Sequence, residues 1–124
     1  MENQNAITFT AEEIRPYDNP QVKPITGLMY EQMLLDDPDT GMTIVKIVYP
    51  KGFTVPLHTH KCAHGYYILT GTLITSEGSY GPGSFVWFKE GAQMVHGAGD
   101  EEVEAIAFAN KPFELSFVTD NTER

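Results

Sequence analysis

The four histidines of this chain stand at His58, His60, His64 and His96. Neutral imidazole is the commonest protein ligand for transition metals, and its pKa leaves it neutral at physiological pH. In an extended strand residues of equal parity share a face, so His58 and His60 present their rings together, about 7 Å apart at their Cα atoms. His64 keeps that parity if the strand runs on, and otherwise reaches the same face from the next strand after a bend at 61–63. Any one of these rings alone would read as a hydrogen-bonded core or surface histidine. Together they point to one divalent ion held by His58, His60, His64 and His96.

Several neighbours have a role near such an ion and an ordinary role beside it. Cys62 shares the parity of His60 and offers a thiolate, but Lys61 and Ala63 around it read as a loop, which makes it a bystander. Tyr66 continues the histidine face; its hydroxyl either donates to a bound oxygen or caps a ring packed in the core. Lys46 is the one charge in the run Met42-Thr43-Ile44-Val45-Lys46-Ile47-Val48-Tyr49. It either anchors an anionic substrate, oriented by Gln32 on the adjacent strand, or stands on the outer face of the sheet, in water. Tyr66 and Lys46 are therefore the candidate catalytic residues. Phe53, Phe85, Trp87, Phe88 and Phe108 supply enough aromatic surface to line a pocket, or a core. The chain has no Gly-x-Ser-x-Gly elbow, no phosphate loop and no dinucleotide fingerprint.

The elements that must position these residues are strands. Short runs rich in β-branched and aromatic residues lie at 28–35, 42–49, 55–60, 65–69, 72–75, 84–88, 94–98, 103–109 and 114–118. Turn chemistry separates them at Asp36-Asp37-Pro38-Asp39-Thr40-Gly41, Pro50-Lys51-Gly52, Glu77-Gly78, Gly81-Pro82-Gly83 and Glu90-Gly91. Helix is minor, a single turn at 11–15 at most. The pattern predicts an all-β sandwich or closed barrel, such as a jelly roll, over 25–124. Residues 1–24, with three prolines, are expected to form an arm packed on the barrel or on a partner subunit.

Bulk properties narrow the partners. With 124 residues the chain builds one domain with a real core. Seventeen acidic and eight basic residues give a net charge of −9, which argues against nucleic acid and anionic membranes as partners. No run approaches the ~18 apolar residues that span a bilayer. A lone cysteine and an N-terminus without a signal pattern fit a reducing cytoplasm.

The residues around the histidines resemble the cupin superfamily. Gly52, five residues, His58, one residue, His60, three residues, His64, six residues and Gly71 resemble the first cupin motif. Gly81-Pro82-Gly83, Ser84-Phe85-Val86-Trp87-Phe88 and then His96 resemble the second. The resemblance implies a cupin jelly-roll β-barrel (a double-stranded β-helix) and a metal cofactor, one ion per chain. Iron is the expected metal, with manganese, nickel, zinc or copper as alternatives. The first motif usually carries Glu where this chain has His64, so a four-histidine site is implied. Its alternative is a three-histidine site from which His64 turns away. Without the carboxylate the ion keeps its full double charge and favours anionic, chelating substrates. His64-Gly65-Tyr66 and Tyr80-Gly81-Pro82-Gly83-Ser84-Phe85-Val86 resemble the small dioxygenases that cleave dihydroxyacetophenones and acetylacetone. They also resemble the cupin domain of certain anti-sigma factors.

The expectation is a metal-dependent dioxygenase acting on a small diketone, hydroxyketone or phenolic substrate, in a homodimer or higher homo-oligomer. A metal-bound sensor or ligand-binding module without turnover is the second expectation. A cupin isomerase is the third, since the motif supplies no carboxylate for acid–base work.

Overall fold

The structure is a computed structural model that describes residues 5–118. Residues 1–4 of the expected arm and 119–124 of the expected barrel lie outside the described residues. Two single 3-10 turns, Ala11–Glu13 and Pro16–Asp18, lead into the strands. Strands β1 (Pro20–Lys23), β2 (Gly27–Asp36), β3 (Thr43–Tyr49), β4 (Thr54–His60), β5 (His64–Thr70) and β6 (Leu73–Thr75) follow. Then come β7 (Gly78–Tyr80), β8 (Phe85–Phe88), β9 (Gln93–Ala98), β10 (Val103–Ala109) and β11 (Leu115–Phe117).

They form two antiparallel sheets, β1-β2-β3-β10-β5-β8 and β11-β4-β9-β6-β7. From β3 onward nearly every connection crosses from one sheet to the other, which is the jelly-roll path. β1 and β7 are the two strands that the run-and-turn pattern does not show. Each is short, and each stands at a sheet edge where pairing, not composition, makes it a strand. β1 falls inside the expected arm and pairs with β2 through Pro20↔Tyr30 to Lys23↔Gly27. Among the described residues no helix is long and apolar enough to cross a membrane.

The core lies between the sheets and follows from alternation. On β3, Val45, Ile47 and Tyr49 face inward, and Ile47 and Tyr49 join Phe53, Val55, Ile68, Leu73, Met94 and Val103 in one buried cluster. Gly71, expected at a strand-end turn, adopts φ 77, and a Cβ there would come within 2.1 Å of the Glu102 carbonyl. Only glycine serves both demands at once.

The register of β4 matters most for the site. Val55 pairs with His96 and His58 pairs with Met94, so Pro56 and Leu57 together oppose Val95. This bulge re-aims the strand: Val55, His58 and His60 all face the interior, although Val55 and His58 have opposite parity. Pro56 fits there because it has no N–H to give to a ladder.

Candidate metal centre

The histidines come from three strands of both sheets. His58 and His60 stand at the end of β4, His96 on β9 beside it, and His64 opens β5 in the facing sheet. All four are buried, at 0 to 4% exposure. The link between β4 and β5 is pinned from outside. Asn110 Oδ1 accepts from Ala63 N–H at 3.0 Å, Asn110 N–H donates to the Ala63 carbonyl at 3.1 Å, and Lys61 N–H donates to the Glu114 carbonyl at 3.2 Å. The chain therefore bends at 61–63, and His64 arrives from the next strand.

Ring centroids lie 4.8 Å apart for His58–His60, 4.9 Å for His58–His96 and 4.1 Å for His60–His64. The His64–His96 separation is wider, 6.5 Å. His58 Nδ1 donates to the Pro56 carbonyl at 2.6 Å and His60 Nδ1 to the Glu114 carbonyl at 3.2 Å. Those bonds fix the tautomer, so each Nε2 carries a lone pair and is buried without a partner. Neither ring nitrogen of His64 has a partner, nor has Nδ1 of His96. Orphaned buried nitrogens are costly unless something binds them, and the donor set fits a divalent transition metal.

The electrostatics agree. Burial, reinforced by the fields of neighbouring rings, lowers the His60 pKa to about 4 and that of His64 to about 3. Burial also lowers His58, and pulls His96 well below its ordinary 6.5. At neutral pH all four rings are uncharged and available as ligands.

Donor atoms of His58, His60 and His96 lie within 4.8 Å of one another, and so do those of His60, Cys62 and His64. Cys62 lies in the link between β4 and β5, as a loop residue, and is fully buried. Burial, then the Glu90 carboxylate, pushes its thiol pKa up, while Lys111 and a backbone hydrogen bond at Glu114 favour the thiolate.

The rings open onto a cavity of about 580 Å3 between the sheets. Its walls are mostly apolar: Met29, Val45, Ile47, Phe53, Val55 and Phe117 among others, with the Phe113 ring tilted against His60 at 4.4 Å between centroids. Tyr66 lines it and also belongs to the buried core, its hydroxyl 3.2 Å from His96 Nε2 and 3.3 Å from the Tyr49 hydroxyl. Lys46 does not reach it. Thr43, Val45, Ile47 and Tyr49 line the cavity, and strand alternation turns Lys46 to the opposite face, opposite Gln32. The expected Gln32–Lys46 pairing exists, but on the outside. There Gln32 accepts from Arg15 N–H at 2.5 Å and donates to the Glu13 carbonyl at 3.0 Å. Phe53 lines the cavity, whereas the Phe108 ring lies 6.5 Å from that of Phe85 on the outer face of the sheet, where Phe85 and Trp87 are exposed.

Five polar residues that the sequence did not single out also line the cavity: Lys23, Thr26, Glu31, Thr43 and Tyr49. Burial, then the adjoining Tyr66, then the charge of Glu31 hold the Tyr49 phenol well above its ordinary 10. Glu31 was discoverable, because it shares parity with Met29 on β2. The cavity therefore has a carboxylate, although the histidine motif has none.

Residues 17–114 match the model of the ChrR cupin-like domain family. No curated protein matches the chain. Solved structures share its fold at low identity. A cupin-like protein of Thermotoga maritima aligns with TM-score 0.67 and 19% identity, over 75% of this chain and 77% of its own. The polyketide cyclase RemF of Streptomyces resistomycificus gives 0.68 and 16%, over 90% and 88%. A "putative acetylacetone dioxygenase" of Methylibium petroleiphilum gives 0.73 and 14%, over 97% and 86%.

Proposed function

This chain belongs to the ChrR cupin-like domain family, and from that premise we propose that it is a metal-dependent, dioxygenase-like cupin acting on a small chelating substrate. The observation that carries the reading is four buried, neutral imidazoles with orphaned nitrogens at the wall of an apolar cavity. His58, His60, His64 and His96 would hold one divalent ion, with iron the first candidate. Bound there, the ion supplies Lewis-acid or redox chemistry.

The chain's own residues do the rest. The apolar walls take up the carbon skeleton of a diketone, hydroxyketone or phenol and keep water out. The Tyr66 hydroxyl, beside His96, donates to an oxygen of the substrate. The Glu31 carboxylate sits in the cavity to accept the proton of a carbon acid or phenol, and the Thr26 hydroxyl, buried without a partner, is free to orient a polar group. The lining supports this substrate class: its walls are mainly apolar, with Lys23, Thr26, Glu31, Thr43, Tyr49 and Tyr66 as the polar groups beside the histidines. Among the structural neighbours, a polyketide cyclase and a "putative acetylacetone dioxygenase" are named for carbonyl-rich compounds, which supports this class.

The test is oxygen uptake by metal-loaded protein with β-diketones and catechols. Substrate-dependent consumption that disappears in His96→Ala supports the reading; metal-loaded protein that binds these compounds without consuming oxygen overturns the dioxygenase part. The second reading in that case is a metal-bound sensor or ligand-binding module without turnover, as the resemblance to the anti-sigma-factor cupin domain implies. We further propose a homodimer in the cytoplasm, the outer sheet face around Tyr67, Phe85 and Trp87 being apolar and exposed.

A further inference from the structure

The two ligand sets of the centre share His60 but differ in chemistry: one is all imidazole, the other contains a thiol. His60 has only Nε2 to give, because its Nδ1–H is committed to the Glu114 carbonyl. One nitrogen serves one ion, so the sets are alternative positions and not two simultaneous sites. His64 lies closer to His60 than to His96, 4.1 Å against 6.5 Å between ring centroids, and neither of its nitrogens has a partner. The sulfur of Cys62 completes a fully buried trio with these two rings.

We propose that the centre offers two overlapping positions for its single ion, and that a thiophilic ion sits in the one formed by His60, Cys62 and His64. This rests on the reading that the histidines hold a metal. Soft thiolate selects zinc and cuprous copper, whereas imidazoles accept iron, nickel and manganese as well. Cys62 binds as the thiolate, its proton leaving to solvent. A harder ion stays with the four imidazoles, on the His58, His60 and His96 side, and leaves Cys62 a protonated bystander. The choice of metal then decides how the cavity is presented with its ion, in a chain where zinc and iron occupy different donors.

X-ray absorption at the zinc edge of the zinc-loaded protein tests this directly. The expected spectrum has a sulfur shell at about 2.3 Å beside nitrogen at about 2.0 Å. In Cys62→Ala the sulfur shell is lost and the nitrogen shell stays, with one zinc per chain in both proteins. If Cys62→Ala fails to fold, Cys62→Ser takes its place, and the wild-type spectrum decides alone. A nitrogen-only shell in zinc-loaded wild type overturns the sulfur position while leaving the histidine centre standing. Protein that retains no zinc overturns both.

Discussion

A histidine pair separated by one residue, followed four positions later by a third, showed that one face of a strand carries imidazoles. It did not show which nitrogen of each ring is free. That depends on carbonyls contributed by Pro56 and by distant Glu114, and such partners appear only in three dimensions. Burial of four neutral rings has a measurable consequence. In metal-free protein the folded pKa values of His60 and His64 lie at about 4 and about 3, below their ordinary 6.5. Unfolded imidazoles therefore bind protons that the folded ones refuse. Stability is fully present above pH 6.5 and falls as the pH drops toward 3. Thermal unfolding of the metal-free protein between pH 7 and pH 4 should show this loss, with a shallower slope for His60→Gln. A second residue-scale prediction concerns Tyr66. Tyr66→Phe leaves the Tyr49 hydroxyl without its buried neighbour, and should cost about 1 kcal/mol in denaturant unfolding. It should keep the metal but slow turnover, and loss of metal instead would place Tyr66 in the ion's support.

At the scale of elements, the site depends on an irregularity. Strict alternation along 55–60 puts Val55 and His58 on opposite faces; the bulge at Pro56 and Leu57 brings both inside. Alternation correctly paired His58 with His60 but gave no sign of the bulge, because its cause is the register with β9. Deleting Leu57 should remove the bulge and restore regular pairing with β9, with Val55 and His58, then two residues apart, both still inside. The expected result is protein that keeps its metal, measured by elemental analysis; loss of metal would show that the bulge itself aims the histidines. Lys46 shows the converse. Its strand and its partner Gln32 were legible, but the inward face was not, because an apolar run with one charge has no visible alternation. Gly97 adds a test of the neighbouring strand. A Cβ there would lie 2.1 Å from the Phe53 carbonyl, so Gly97→Ala must push β4 and β9 apart beside His96. It should destabilise by about 1–3 kcal/mol and weaken metal binding, as read by chemical unfolding and by metal titration.

For the whole molecule, glycine and proline spacing and strand composition were enough to indicate a jelly roll, and the two sheets bear that out. The edge strands β1 and β7 were hidden because three or four residues carry no period. The chain leaves Phe85 57% exposed, stacked on Trp87 at 6.3 Å, on the outer face of β8, an edge strand. Light scattering should report a dimer, and Phe85→Lys combined with Trp87→Lys should give a monomer with its metal intact. A wild-type monomer would remove the self-association from this account.

The proposed chemistry depends on the four histidines holding an ion. Elemental mass spectrometry of protein purified without added metal, beside a His58→Ala/His96→Ala variant, tests it most directly. About one divalent ion per chain in the wild type, absent from the folded variant, is the predicted result. Wild-type protein without metal, even after reconstitution with iron, zinc, manganese, nickel and copper in turn, would contradict it.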